Sequence, residues 1–246
     1  MALTALWAYK LRSFFVVLGV ALGIASLTVI VAAVDGAERK AMEIVKRFGP
    51  DAAFVLGGDI RSRAVGKRTL TLSYKDAQKL RESLPGAYLV VPMRGKGDVT
   101  VRYRGKSRQV PVIIGATAGY AESWNWPLAE GRDFTEEDVQ KGAKFGLIGD
   151  LVAEDLFGSE SPVGHTIFVD QVPVQIIGRL SYRGVTGGGG SSSVDDRIIL
   201  PITTLTQRFN LDRKYFRALR VKFYAPENME AHVANLRSLL RHLHHL

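Results

Sequence analysis

The residues with the most chemical potential in this chain are the histidines His242, His244 and His245 in RHLHHL, the serines at 191–193, and the glycine run Gly187 to Gly190. Imidazoles are metal ligands, but neighbouring histidines point to different faces of a helix, and no HExxH pattern or carboxylate joins them. The serines lack the GxSxG frame and a well-placed histidine that would make one of them a nucleophile. The glycine run lacks the lysine and the strand-loop-helix setting of a phosphate cradle, and no GxxxxGK[ST] occurs elsewhere, so the segment from Gly184 to Ser193 reads as a flexible surface loop. Glu136, Glu137 and Asp138 follow Thr135, where acids in a first helical turn favour the helix dipole. With no cysteine there is no disulfide, thiolate metal site or cysteine nucleophile. The sequence therefore assigns no catalytic residue, no metal and no cofactor, and the chain is expected not to be an enzyme.

Two other groups have types and spacing suited to recognition. Trp124 and Trp126, in a chain with three tryptophans, suit either a protein interface or the packing of a loop-rich segment. Gly19 and Gly23 form GxxxG, and Ser26 lies one turn further on. This small-residue ridge lets a second helix approach closely, although glycine is also common in membrane helices.

The ridge sits in the uncharged run from Phe14 to Val34, FFVVLGVALGIASLTVIVAAV. As a helix this run is about 31 Å long, matching the hydrocarbon core of a bilayer. It is read as a retained span rather than a buried core helix or a cleaved signal, whose apolar region is only ~7 to 15 residues, although Val31 and Ala33 would suit cleavage. Lys10 and Arg12, with no acid before Asp35, favour a cytoplasmic N-terminus. In the leader, residues 1–13, Leu3, Leu6, Trp7 and Leu11 recur at helical spacing, consistent with an interfacial helix in contact with lipid or with an extension of the span. The helical pattern continues through Ala37, Ala41, Ile44, Val45 and Phe48, a stalk over 35–49, until Gly49-Pro50 stops it.

The rest reads as a folded α/β region. A strand at Ala52 to Leu56 and a polar loop containing Arg61, Arg63, Lys67 and Arg68 precede a helix opened by Ser73 with Asp76. Strands follow in YLVVP, DVTVRYR and QVPVII, the last two forming a hairpin at Gly105-Lys106. Thr135 caps a short helix, Asp150 is expected to cap the helix at Val152 to Phe157, and TIFVD with VPVQIIG reads as a hairpin. RIILP, a short helix at Thr203 to Phe209, and a strand from Phe216 to Phe223 lead to a final helix whose seam is Met229, Val233, Leu236, Leu240 and Leu243. The first β, α, β, β run completed by the last strand and helix makes a split α/β sandwich with the middle region inserted. The net charge of +9 is scattered among acids, as in Lys75, Asp76, Lys79, Arg81 and Glu82, and no nucleic-acid motif accompanies it. It reads as solvated surface, able to meet anionic lipid headgroups near a membrane, with no nucleic-acid partner.

KLRSFFVVLGVALGIASLTVIVAAVDGAERKAMEIVKRFGP resembles the first membrane helix and stalk of macrolide-exporter-type (MacB/FtsX-like) ABC transporter permeases. WPLAEGRDFTEEDV, GLIGDLVAEDLFGSESPVGHTIFVDQVPVQIIGRL and DDRIILP resemble the periplasmic core domain of the same family, in the same order. The resemblance implies an α+β chain with one transmembrane helix and stalk, then a two-lobed periplasmic domain: a split β-α-β porter-like lobe over 50–115 and 213–246, with a small α/β lobe over 116–212 inserted. It implies an inner-membrane homodimeric permease component of an ABC-type export or mechanotransmission complex: ATP is hydrolysed by a cytoplasmic nucleotide-binding domain or ABC ATPase subunit, and the motion is relayed through helix and stalk to the periplasmic domain, which works with a periplasmic adaptor (membrane fusion) protein and an outer-membrane channel or acts on lipoproteins. Family permeases continue into three further membrane helices, so this chain is expected to be a fragment, a split gene product or a degenerate copy. The competing reading is a membrane-tethered periplasmic binding module without transport activity.

Overall fold

The computed structural model describes residues 10–58, 71–184 and 193–245, and of 10–13 and 43–48 the backbone alone. The expected polar loop, most of the glycine-serine loop and residues 1–9 of the leader lie outside the described residues. The chain divides into two compact units, 1–46 and 47–246.

The first unit is carried by α1 (Lys10–Phe48), a single helix of 39 residues. At 1.5 Å per residue it is about 58 Å long. It contains the one helix segment among the described residues long and apolar enough to cross a membrane, Phe14–Met42, and none of its apolar window is buried. Residues 10–13 are continuous with the span. Gly49, with φ +84, ends the helix in a conformation that suits glycine.

In the second unit the elements run β1 (Ala52–Leu56), β2 (Leu72–Ser73), α2 (Tyr74–Ser83), β3 (Ala87–Tyr103), β4 (Lys106–Ala116), α3 (Tyr120–Ser123), β5 (Leu128–Gly131), α4 (Glu136–Gln140), β6 (Phe145–Ile148), α5 (Asp150–Phe157), β7 (Thr166–Val169), β8 (Val172–Leu180), β9 (Arg197–Pro201), α6 (Ile202–Arg208), β10 (Tyr215–Phe216), β11 (Ala218–Phe223) and α7 (Met229–Leu243). The caps predicted at Ser73 and Thr135 both form, each as a full capping box: Ser73 with Asp76 opens α2, and Thr135 with Asp138 opens α4. Asp150 is not a cap. Gly149 takes that place because its backbone lies so close to the Asp195 carbonyl that an added Cβ would stand 2.2 Å from it, while the Asp150 carboxylate accepts from Arg179 at 2.7 Å. The expected 216–223 strand is broken at Arg217, because β10 pairs with β2 in a separate ladder while β11 joins the main sheet. The strands expected separately at YLVVP and DVTVRYR are one strand, β3, of 17 residues.

The main sheet, nine-stranded among the described residues, runs β1-β11-β3-β4-β9-β6-β8-β5, with β7 pairing both β3 and β8. These pairings close a ring in the order β3, β4, β9, β6, β8, β7. Val101 of β3 pairs with Val169 of β7 at the seam, and both are fully buried. Inside lies one apolar cluster, including Val99, Val110, Ile148, Ile176 and Ile198, joined by Val152 and Leu156 of α5. The inward alternation of Val99, Val101 and Tyr103 is what a closed sheet requires.

A second cluster fills the other end, where Leu80 of α2 and Leu236 of α7 join Leu219, Val221 and Phe223 of β11. The long hairpin β3–β4 serves both clusters. Between its halves Asp98 adopts φ +50, opposite the stretch that contains Pro111, which has no N–H to donate to the ladder.

Candidate functional site at the end of the long helix

β11 has the sequence ALRVKF, and every one of its residues is buried. Alternation places Leu219, Val221 and Phe223 on one face, in the apolar cluster shared with α2 and α7, and sends Arg220 and Lys222 to the other. Both cations are nearly sequestered, at 4% and 5% exposure. Buried charges need partners, and here they come from the loop around α3 and from the first residue of the domain after Pro50.

Lys222 Nζ lies 3.1 Å from Asp51 Oδ2 and donates to Asn125 Oδ1 at 2.7 Å and to the Glu122 carbonyl at 3.3 Å. Tyr88 donates its hydroxyl to the same Asp51 oxygen at 3.4 Å, and the Phe223 amide donates to the Asp51 carbonyl at 2.8 Å. Arg220 Nε donates to the Ser123 carbonyl, and its guanidinium stands 4.0 Å from the Trp124 ring centre. Arg183 Nη2 donates to the carbonyls of Trp124 and Asn125, each at 2.6 Å. Successive carbonyls from Glu122 to Asn125 are thus held by cations from β11 and from the segment after β8. Gly49 fits tightly here: an added Cβ would meet Asp51 Oδ1 at 2.8 Å and Asn125 Nδ2 at 3.0 Å.

Burial lowers the Arg220 pKa to about 10, with Asp51 opposing the shift and Arg183 adding to it. Burial also pulls Lys222 down, but its hydrogen bonds to Tyr88 and Asp51 outweigh this and leave its pKa above the ordinary lysine value. A cluster of this kind contains no nucleophile paired with a base. What it does is fix one piece of chain to another: Asp51, three residues beyond α1, is tied at once to β11 and to the α3 loop.

The residues singled out from sequence fall in different places. Trp126 is buried, donates Nε1–H to the Ser181 carbonyl at 2.7 Å, and has the Arg183 guanidinium 4.6 Å from its ring centre. Trp124 is half-buried, 5.6 Å from the exposed Phe54 ring. Gly19 and Gly23 on α1 have open space where a side chain would stand. The C-terminal histidines do not converge: His244 meets Asp76 at 3.2 Å, while His242 and His245 are exposed. Among the described residues no cluster of metal-ligating side chains occurs. Asp51, Asn125, Arg220 and Lys222 were not anticipated. The one available signal was a strand, ALRVKF, that alternates large apolar residues with cations.

The family model described as the MacB-like periplasmic core domain matches residues 13–239. The chain is 31% identical over 243 residues to the pyoverdine export ATP-binding/permease protein PvdT of Pseudomonas syringae, a match covering 98% of this chain and 35% of that protein. It is 33% identical over 204 residues to the macrolide export ATP-binding/permease protein MacB of Wolinella succinogenes, covering 83% and 31%. The chain therefore spans about a third of the length of these curated relatives. In fold it is similar to the periplasmic region of MacB from Actinobacillus actinomycetemcomitans, with TM-score 0.69 and 20% identity over 83% of this chain and 89% of that one. It is likewise similar to the extracellular domain of the noncanonic ABC-type transporter YknZ from Gram-positive bacteria, with TM-score 0.59 and 22% identity over 78% and 92%. A match that begins inside α1 and ends inside α7 takes in the apolar helix, the junction and the closed sheet together, and the chain belongs to the MacB-like periplasmic core domain family.

Proposed function

We propose that this chain is a permease component of an ABC-type export complex, with α1 in the inner membrane, its N-terminus cytoplasmic and residues 47–246 on the periplasmic side. ATP hydrolysis falls to a separate ABC ATPase. The observation that carries a relay role is the latch at Asp51. The chain leaving the helix is bound within a few residues to Lys222 of β11 and through it to Asn125, so a pull on the helix end is delivered to two distant parts of the domain. In this reading residues 50–115 with 213–246, and 116–212, act as the two lobes between which that displacement is shared.

The Gly19, Gly23 and Ser26 ridge serves packing against another membrane helix, in a homodimer. Trp124, half-buried beside exposed Phe54, is the aromatic residue offered to a periplasmic adaptor, while Trp126 holds the loop from beneath. PvdT and MacB carry the names of unlike cargo, pyoverdine and macrolides, so no cargo is assigned.

The test is affinity purification of the chain, tagged at its natural locus, from membranes. Co-purification of a protein with a nucleotide-binding loop, in constant ratio, is the expected result. A chain that purifies free of any such ATPase would leave the tethered module as the better description.

A further inference from the structure

Of the two strands that end the path of the main sheet, β1 and β5, β1 has a groove beside it. β1 pairs with β11 alone among the described strands. The bonds from Phe223 N to the Asp51 carbonyl and from Gly57 N to the Arg217 carbonyl fix its facing, so that alternate residues from 51 to 57 turn toward β11, and Ala52, Phe54 and Leu56 turn their N–H and C=O groups outward. Alongside lies α7, and between the two is a groove of about 950 Å³. Val55, Leu236 and Leu240 line its apolar part; Arg237 and Arg241, both exposed, supply its charge, and among the described residues no acidic side chain lines it.

Natural edge strands are normally defended by charges, prolines or bulges that prevent pairing with another chain. β1 reads AAFVL and has none of these. A strand edge beside a helix with an apolar groove between them is the geometry in which extended peptides dock: main-chain bonds give affinity and the groove selects alternate side chains.

We propose that this groove takes an extended, acidic segment of a partner protein, which adds to the sheet as a strand beside β1. Charge selects this occupant over the others at hand. A second copy of the chain would bring the same two arginines and a net charge of +9. The chain's own 59–70 segment, which follows Gly58 in the sequence, carries Arg61, Arg63, Lys67 and Arg68 against Asp59 alone. Either occupant would bring like charge to the arginines. An acidic strand meets them with opposite charge, and its apolar side chains at alternate positions fill the groove. β1 is also the first strand after α1, so an added strand would pair with the element that the helix enters. The proposal rests on the groove and holds whether or not the chain works in export.

The test uses the full chain in detergent micelles and a displayed library of random peptides. Selected peptides are expected to carry Asp or Glu beside alternating apolar residues, and to protect the amides of Ala52, Phe54 and Leu56 from hydrogen exchange. Arg237→Glu with Arg241→Glu, at exposed positions that leave the fold alone, is expected to weaken their binding by about tenfold or more. Leu56→Pro removes an outward donor without touching the β11 ladder and is expected to abolish binding, provided circular dichroism matches that of the parent. The proposal is overturned if the library yields no binder, if binders protect other amides, or if charge reversal leaves affinity unchanged. Self-association through β1 would instead make a second copy the occupant, and binding that appears only after removal of residues 59–70 would give the groove to that segment; either result also overturns it.

Discussion

Asp51 Oδ2 and Lys222 Nζ stand 3.1 Å apart at the point where the chain leaves the long helix, and the lysine is almost wholly withdrawn from water. Replacing Asp51 by alanine leaves Lys222 with the neutral acceptors of Asn125 and Glu122 and no counter-charge. Stability of the domain in urea should fall by about 2 to 3 kcal/mol, as when one partner of a buried pair is removed. Asp51→Ala with Lys222→Met removes both charges and should recover part of that loss. A double-mutant cycle followed by tryptophan emission measures the coupling, and a value near zero would mean that Asp51 is not the partner that holds Lys222.

The two buried cations respond to alkali with opposite signs. The folded-state pKa of Lys222 is raised, so its contribution is complete below the unfolded value of 10.5 and is lost as pH rises through the higher folded value. The pKa of Arg220 is depressed to about 10, so the cost of burying its charge is relieved as pH climbs past that point. Lys222→Met should therefore lose less stability than the parent between about pH 10 and 12, and Arg220→Met should lose more. Equal slopes for all three proteins in alkaline unfolding curves would contradict both assignments.

How much of this was legible beforehand depends on how far apart the interacting residues lie. The span, the caps at Ser73 and Thr135 and most strands were readable because their signals are local: an uncharged run, a Ser or Thr three residues before an acid, an alternation. Asp150 misled because the rule for a helix start could not see that Gly149 is pressed against Asp195, or that Arg179 claims the carboxylate. The junction was invisible for a stronger reason. Arg220 and Lys222 find their acceptors 97 to 100 residues away, in a loop whose carbonyls are available only once the sheet has formed. A lysine in an alternating strand normally marks the solvent face, and nothing local contradicts that expectation.

Closure of the sheet rests on a short seam, in which β3 and β7 share only Val101 with Val169 and Arg102 with Phe168. Val169→Ala should cost about 2 kcal/mol, the usual loss when buried methyl groups are removed from a tight core. It should also raise hydrogen exchange at Thr166–Val169 while leaving Ala218–Phe223 protected, because β11 draws on the other apolar cluster. Loss of protection in both strands together would show that the two ends of the sheet unfold as one unit.

The membrane helix offers a cleaner experiment than the domain, because the chain has no cysteine and any introduced one is unique. At about 100° per residue Gly19, Gly23, Ser26 and Ile30 lie on one face of α1, and Thr28 lies on the opposite face. If the glycines admit a second copy, Ile30→Cys should form a disulfide-linked dimer in membranes under mild oxidation while Thr28→Cys should not. Adding Gly19→Leu with Gly23→Leu should then reduce the Ile30→Cys dimer by about tenfold, since bulky side chains separate backbones that small residues bring together. Open space surrounds both glycines, so the substitutions do not disturb the helix itself, and any loss of crosslinking reports on the partner. Equal crosslinking of the Ile30→Cys and Thr28→Cys chains would mean that the helices meet at random, and a dimer indifferent to the leucines would move the contact to another face.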